Sequence, residues 1–236
     1  MNRKLVFSED EFYHVYNRGN DKRIIFRRND DYKRFINLLF FCNSKTRVQM
    51  AKLSKKLSQG VTLTKFLDIR GDTLVDIGAY CLMPNHFHLL LHEKVENGIT
   101  MFLKKLCTAY SMYFNIKNDR TGKLFEGVFQ ARHADSDEYL KYLFAYIHLN
   151  PVKIIDPKWR ENRPVNIENV RDFVERYQFS SYKDYLKEHE STIILNKLAF
   201  PTYFIENEIK TEIDEWLNFG QNFKSPMESK CHPDPP

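Results

Sequence analysis

No apolar run in the sequence approaches the ~20 residues that a membrane-spanning helix needs, and the start, Met1 to Asp10, is polar where a signal peptide would carry an apolar stretch. Both absences lead us to expect a cytoplasmic protein with no membrane partner. Cysteine is scarce: Cys42, Cys81, Cys107 and Cys231 are scattered with no CxxC pair. That spacing suits a reducing compartment rather than a disulfide framework or a zinc finger, and all but Cys231 in the tail are expected to be core thiols. No internal repeat is present. Neither sign of charge dominates, since 36 Lys and Arg against 31 Asp and Glu leave a net +5. This balance permits a polyanionic partner without requiring one. A hydrophobic fraction of 42% with 28% charged residues excludes disorder throughout.

Aromatic residues are plentiful. With 19 Phe and 13 Tyr in a basic chain, rings beyond those needed for a core are available to stack on unpaired bases. Phe12 to Tyr16 alternates and reads as a strand, broken by Asn17-Arg18-Gly19-Asn20. From Asp30 to Phe41 apolar residues recur at helical spacing. Residues 44–72 change character, with seven Lys or Arg against two Asp or Glu, and form a basic insertion that is either a phosphate-contacting arm or a solvated helical excursion.

Leu74 to Leu82 and His86 to His92 read as strands paired in a hairpin across Met83-Pro84-Asn85. Thr100 to Asn115 has helical spacing, Leu124 to Ala134 is strand-like, and a helix capped near Asp135 or Ser136 runs to Asn150, where Pro151 stops it. A loop-rich stretch, the helix-like Ser181 to Lys187, two weaker helical patterns and a polar tail from Gly220 complete the chain. The order of elements predicts an α+β fold, a two-layer sandwich with a largely antiparallel central sheet covered by helices. One catalytic domain is expected over residues 1–187, followed by a helical extension and polar tail over 188–236.

The most informative local pattern is His86-Phe87-His88. Side chains two apart on a strand share a face, so both imidazoles point one way while Phe87, Leu89 and Leu91 take the buried side. Neutral imidazoles are good metal ligands, although an H-x-H pair also occurs as hydrogen-bonded surface histidines. The second pattern is Tyr146-Ile147-His148-Leu149-Asn150-Pro151. Tyr146 and Asn150 lie on one helical face and present a hydroxyl with an amide. Spacing alone also fits a packing tyrosine and a C-capping asparagine.

The pieces Tyr13-His14-Val15-Tyr16-Asn17-Arg18-Gly19-Asn20, Met83-Pro84-Asn85-His86-Phe87-His88, Gly122-Lys123-Leu124-Phe125 and Tyr146-Ile147-His148-Leu149-Asn150-Pro151-Val152 resemble, in order and spacing, the REP-associated tyrosine transposases. These are a single-tyrosine, IS200-like group of the HUH endonuclease superfamily with a ferredoxin-like fold. Tyr177 to Tyr185 is similar to a segment near the end of that group's shared region, so the resemblance spans roughly residues 10–187.

The resemblance implies His86 and His88 as metal ligands, Asn150 as the third ligand and Tyr146 as the nucleophile. Tyr139, Tyr142, Tyr110 and Tyr113 are rivals, but only Tyr146 is followed by the asparagine that the pattern places on the metal. His14, His92, His133 and His148 are expected to be structural or peripheral. The implied cofactor is Mg²⁺ or Mn²⁺, and the implied product is a 5′-phosphotyrosine with a free 3′-hydroxyl. The expected partner is single-stranded or hairpin DNA, with Arg18, Lys123 and Arg132 as candidate contacts against plain surface solvation for each. A monomer and a homodimer both suit one tyrosine per chain. Two other readings stay open: an inactive regulator that binds DNA hairpins, and a metal-dependent nuclease using water. The length of 44–72 and the chain beyond Lys187 depart from the pattern.

Overall fold

The computed structural model describes residues 5–49, 56, 59–160, 166–186, 193–204 and 208–219. The alternating and apolar runs form four strands: β1 (Phe12–Arg18), β2 (Val75–Met83), β3 (His86–Glu93) and β4 (Gln130–His133). They make one antiparallel sheet in the order β2-β3-β1-β4. β2 and β3 are joined by the two-residue turn Pro84-Asn85, with Met83 opposite His86. The turn is held from outside. Pro84 accepts hydrogen bonds from the Ile25 and Phe26 amides at 2.9 and 3.0 Å, and the Asn85 carbonyl accepts from Gly19 at 2.8 Å.

The described helices, in chain order, are α1 (Asn29–Cys42), α2 (Leu67–Arg70), α3 (Gly98–Lys117), α4 (Asp137–Leu149), α5 (Val152–Ile155), α6 (Ile167–Arg176), α7 (Tyr182–Leu186) and α8 (Glu208–Phe219). Strand alternation assigns Tyr13, Val15, Phe87, Leu89 and Leu91 to one face of the sheet, where they bury against Phe35 and Leu38 of α1 and Phe102 and Leu106 of α3. Asp31 ties these two helices together by accepting from Tyr113 Oη at 2.9 Å and Lys117 Nζ at 2.6 Å.

The opposite face carries Ala79, Cys81, Met83 and Leu90, packed under α4 with Val170 of α6, Tyr182 of α7, and Ile213 and Leu217 of α8. The α+β class with an antiparallel sheet is as expected, and the helical cover lies on both faces because β2 and β3 bury side chains on both. A β-bulge between Ile77 and Ala79 switches the faces of β2. It falls at Gly78, where an added Cβ would come within 2.5 Å of the Phe200 ring.

Two sequence expectations need correction. The strand expected over Leu124 to Ala134 exists only as β4. Leu124 and Phe125 are buried side by side and 126–128 are all exposed, which breaks the two-residue period a strand requires. The stretch read as loop-rich after Pro151 contains α5 and the ten-residue α6, whose helical face buries little more than Val170 and Val174. The ends of β1, α1 and α3 extend a residue or two beyond the ranges read from the sequence. The expected polar tail from Gly220, Cys231, Lys187 and residues 50–55 and 57–58 of the basic insertion lie outside the described residues. The described part of that insertion is anchored where Phe66 packs on Phe40 and Phe41 of α1. No helix among the described residues is long and apolar enough to cross a membrane.

β2 is an edge strand, and the chain covers its free side. Leu82 donates to the Phe179 carbonyl at 2.9 Å, Ser181 donates to the Tyr80 carbonyl at 2.9 Å, and the Tyr80 amide returns a bond to Ser181 Oγ at 2.9 Å. Ser181 Oγ is also 2.8 Å from His148 Nε2 of α4, so one buried hydroxyl joins sheet, edge and helix. Ser181→Ala strips the Tyr80 amide and His148 of their partner. Unfolding in urea should show a loss of about 1–3 kcal/mol, the cost of leaving such buried groups unpaired.

Candidate active site

Strand alternation puts His86 and His88 of β3, His14 and Tyr16 of β1, and Arg132 of β4 on the face covered by α4, since His14 pairs with Leu90 and Arg132, and Tyr16 with His88. His86 and His88 have ring centroids 4.9 Å apart. Each ring is fixed through Nδ1. His86 Nδ1 lies 2.6 Å from Asn85 Oδ1, and His88 Nδ1 lies 2.9 Å from His14 Nε2. The Nε2 atoms of both are buried with no hydrogen-bond partner among the described residues.

Above this pair, α4 is capped at its start by Ser136, whose side chain accepts from Tyr139 at 3.2 Å. Its last residues lead through Asn150 and Pro151, both helical in φ and ψ, directly into α5. Proline removes a helical donor here. The Asn150 side chain turns back and donates Nδ2 to the Tyr146 carbonyl at 2.8 Å. The amide is thereby oriented, and Asn150 Oδ1 is left buried and unpartnered among the described residues. Capping and the presentation of a carbonyl oxygen are the same conformation.

Tyr146 faces the histidines. Its ring lies edge-on 5.5 Å from His88 and 5.6 Å from His14, with Tyr142 stacked at 5.9 Å and the Arg160 guanidinium 4.5 Å over its face. Of the rival tyrosines, Tyr110 donates to the Ile25 carbonyl and Tyr113 to Asp31 on the opposite side of the sheet. Tyr139 stacks on Tyr142, which packs against Trp216. Tyr146 is the one that faces the His88 ring in these contacts.

Every histidine here is held neutral. Burial, and then the charge of Arg132, push His14 down to about 3. Burial followed by Lys153 and Arg18 takes His86 to about 3, and His88 falls well below 6.5 through burial and then His86, His14, Lys153 and Arg160. Neutral imidazoles keep lone pairs free for a cation. No group of three or more His, Cys, Asp or Glu placed to hold a metal ion occurs among the described residues. Two imidazole nitrogens and one amide oxygen, all buried and without a hydrogen-bond partner among the described residues, nevertheless suit a hard divalent ion of the Mg²⁺ or Mn²⁺ kind.

The three basic candidates separate. Arg132 of β4 stands opposite His14 of β1 on the site's face. Arg18 stands opposite His86 but is engaged by Glu126, through Nε at 2.9 Å and Nη2 at 3.1 Å. Lys123 is exposed in the loop before Leu124, whose carbonyl accepts from Asn20. Sequence reading set His14 aside as structural or peripheral and missed Asn85, Tyr16, Lys153 and Arg160. Strand period could have placed His14 and Tyr16 on the site's face, whereas nothing local announces Arg160.

The family model described as "Transposase IS200 like" matches residues 13–150. No curated protein matches the sequence. Among solved structures, one described as "Structure of the REP associates tyrosine transposase bound to a REP hairpin" is similar at a TM-score of 0.45 and 12% identity, over 83% of this chain and 90% of that one.

The buried neutral histidines also set an acid limit. His14, His86 and His148 have folded values near 3 against an ordinary 6.5. Below 6.5 the unfolded chain therefore binds protons that the folded one does not, and stability falls with pH until the folded groups protonate near 3. Each contributes a slope of about 1.4 kcal/mol per pH unit within that window. Denaturant unfolding at neutral and mildly acidic pH should show this loss, and His148→Gln should make it shallower.

Proposed function

The chain belongs to the IS200-like transposase family, and from that premise we propose that it cuts and rejoins single-stranded, hairpin-tipped DNA with Tyr146 as the nucleophile. The observation that carries the reading is three buried atoms without a hydrogen-bond partner among the described residues, His86 Nε2, His88 Nε2 and Asn150 Oδ1, where the His88 ring meets that of Tyr146 and the Asn150 side chain bonds the Tyr146 carbonyl. These atoms would hold Mg²⁺ or Mn²⁺. Such an ion supplies Lewis-acid stabilisation of the charge that develops on a scissile phosphate.

The protein's own groups do the positioning. The Tyr146 ring is confined between His14, His88, Tyr142 and Arg160, which limits the directions its hydroxyl can take. Attack of the phenol oxygen on phosphorus breaks the bond to the 3′ oxygen. The phenol proton is lost, the departing oxygen gains one as a 3′-hydroxyl, and a 5′-phosphotyrosine remains. A 3′-hydroxyl reverses the step, so the phosphodiester energy is retained and rejoining needs no nucleotide.

Lys153, Arg160, Arg18 and Arg132, whose charges are felt at the site histidines, make it attractive to a polyanion. Half-buried Tyr16, 5.9 Å from the His88 ring, offers a surface on which an unpaired base can stack. Arg132 and exposed Lys123 are proposed to contact phosphates. Arg18 does so only by exchanging Glu126 for a phosphate.

Labelled single-stranded hairpin DNA incubated with Mn²⁺ and run on denaturing gels tests the proposal. Wild type should give a covalent protein–DNA band, Tyr146→Phe none, and His86→Ala a band reduced by about two orders of magnitude or more. Cleavage that persists in Tyr146→Phe would instead identify a water-using nuclease. DNA shifted but left uncut across several hairpins would identify a binding protein.

A further inference from the structure

The histidines of the sheet meet neighbours through their ring nitrogens in ways that set their roles. His92 Nδ1 faces Asp76 at 3.1 Å and His133 Nε2 faces Glu11 at 2.7 Å, so each of these has a carboxylate. His88 is different. Its Nδ1 faces the Nε2 of another imidazole, His14, at 2.9 Å, with the rings stacked at 5.1 Å and 20°. His88 and His14 are 0% and 2% exposed, so water does not compete for this bond.

One proton lies between the two facing nitrogens, and its position decides the chemistry of His88. If His88 Nδ1 carries it, the remaining Nε2 is a lone pair. If His14 Nε2 carries it, His88 Nε2 is an N–H, buried and without an acceptor among the described residues. Leaving that N–H unmet costs free energy, whereas an unprotonated Nε2 is open to a cation. We infer that His14 is a positioning residue: its Nε2 accepts the Nδ1 proton of His88 and so holds His88 in the tautomer whose Nε2 can bind a metal ion. The inference rests on the reading of His86, His88 and Asn150 as a metal site.

Asn85 does the same for His86 from the adjoining turn. Its Nδ2 donates to the Lys22 carbonyl at 3.4 Å, which leaves Oδ1 to accept from His86 Nδ1. Both orienting groups are neutral. A carboxylate in either place would raise ligand basicity, but would also set a negative charge beside a site that must admit phosphate. β1 and β3 hold His14 in register with Leu90, diagonal to His88, so the contact is built by the sheet.

Nitrogen-15 spectra of the histidine rings in the DNA-free protein read the tautomer directly, and a Mn²⁺ titration followed by electron paramagnetic resonance reads affinity. Wild-type His88 should be protonated at Nδ1. His14→Phe, which keeps an aromatic ring but no acceptor, should mix or invert the tautomer and weaken Mn²⁺ by ~10–100-fold. His14→Gln, which restores an acceptor, should recover both. A wild-type His88 protonated at Nε2 overturns the inference even if His14→Phe fails to fold. So does a folded His14→Phe with unchanged tautomer and affinity. A tautomer that responds to His14→Phe in a protein that never binds Mn²⁺ supports the role of His14 and removes the metal reading instead.

Discussion

β3 is hydrogen-bonded along both edges, to β2 on one side and to β1 on the other, and a strand held this way cannot shift by one residue without losing two ladders at once. Its side chains would also change faces. Phe87, Leu89 and Leu91 would leave the core they share with α1 and α3, and each such burial is worth about 1.5–3 kcal/mol. His86 and His88 would take their place in that apolar core. The apolar half of β3 thus fixes where its polar half must be, and the site inherits the rigidity of the sheet.

The second constraint is electrostatic. His86, His88 and Asn150 are neutral donors taken out of water, and Asn85 and His14, which orient the two histidines, are neutral as well. Burial keeps the imidazoles unprotonated, and the surrounding Lys153, Arg160, Arg18 and Arg132 reinforce that state. In the proposed function, the same cations that keep protons off these imidazoles draw a phosphate backbone toward them. On that proposal, one charge distribution serves both the readiness of the site and the approach of the polyanion.

Placement of Tyr146 depends on elements distant in sequence. α4 lies on the sheet because Ala145, Leu149 and their neighbours bury against β2 and β3 while Phe200, Phe204, Ile213 and Leu217 close over it from the C-terminal side. Ser181 joins α4 to the covered edge of β2. The C-terminal segments beyond Leu186 that the structure describes are part of this cover, so they pack over the helix that carries Tyr146.

Periodicity alone determined a good deal. A period of two put His86 and His88 on one face, a period near 3.6 put Tyr146 and Asn150 on another, and proline after Asn150 marked the end of α4; these are local rules that act within a few residues. The family resemblance was legible for the same reason, since its motifs are short and ordered along the chain. What lay beyond a local rule was decided by tertiary structure. His14 meets His88 across 74 residues and Arg18 meets Glu126 across 108. Arg160 comes over Tyr146 only because the chain after α5 folds back, and the covering of both sheet faces follows from the burial of β2 and β3 rather than from any one segment's pattern. A strand reveals which way a histidine points, but which of its nitrogens is free depends on the partner that arrives from elsewhere in the chain.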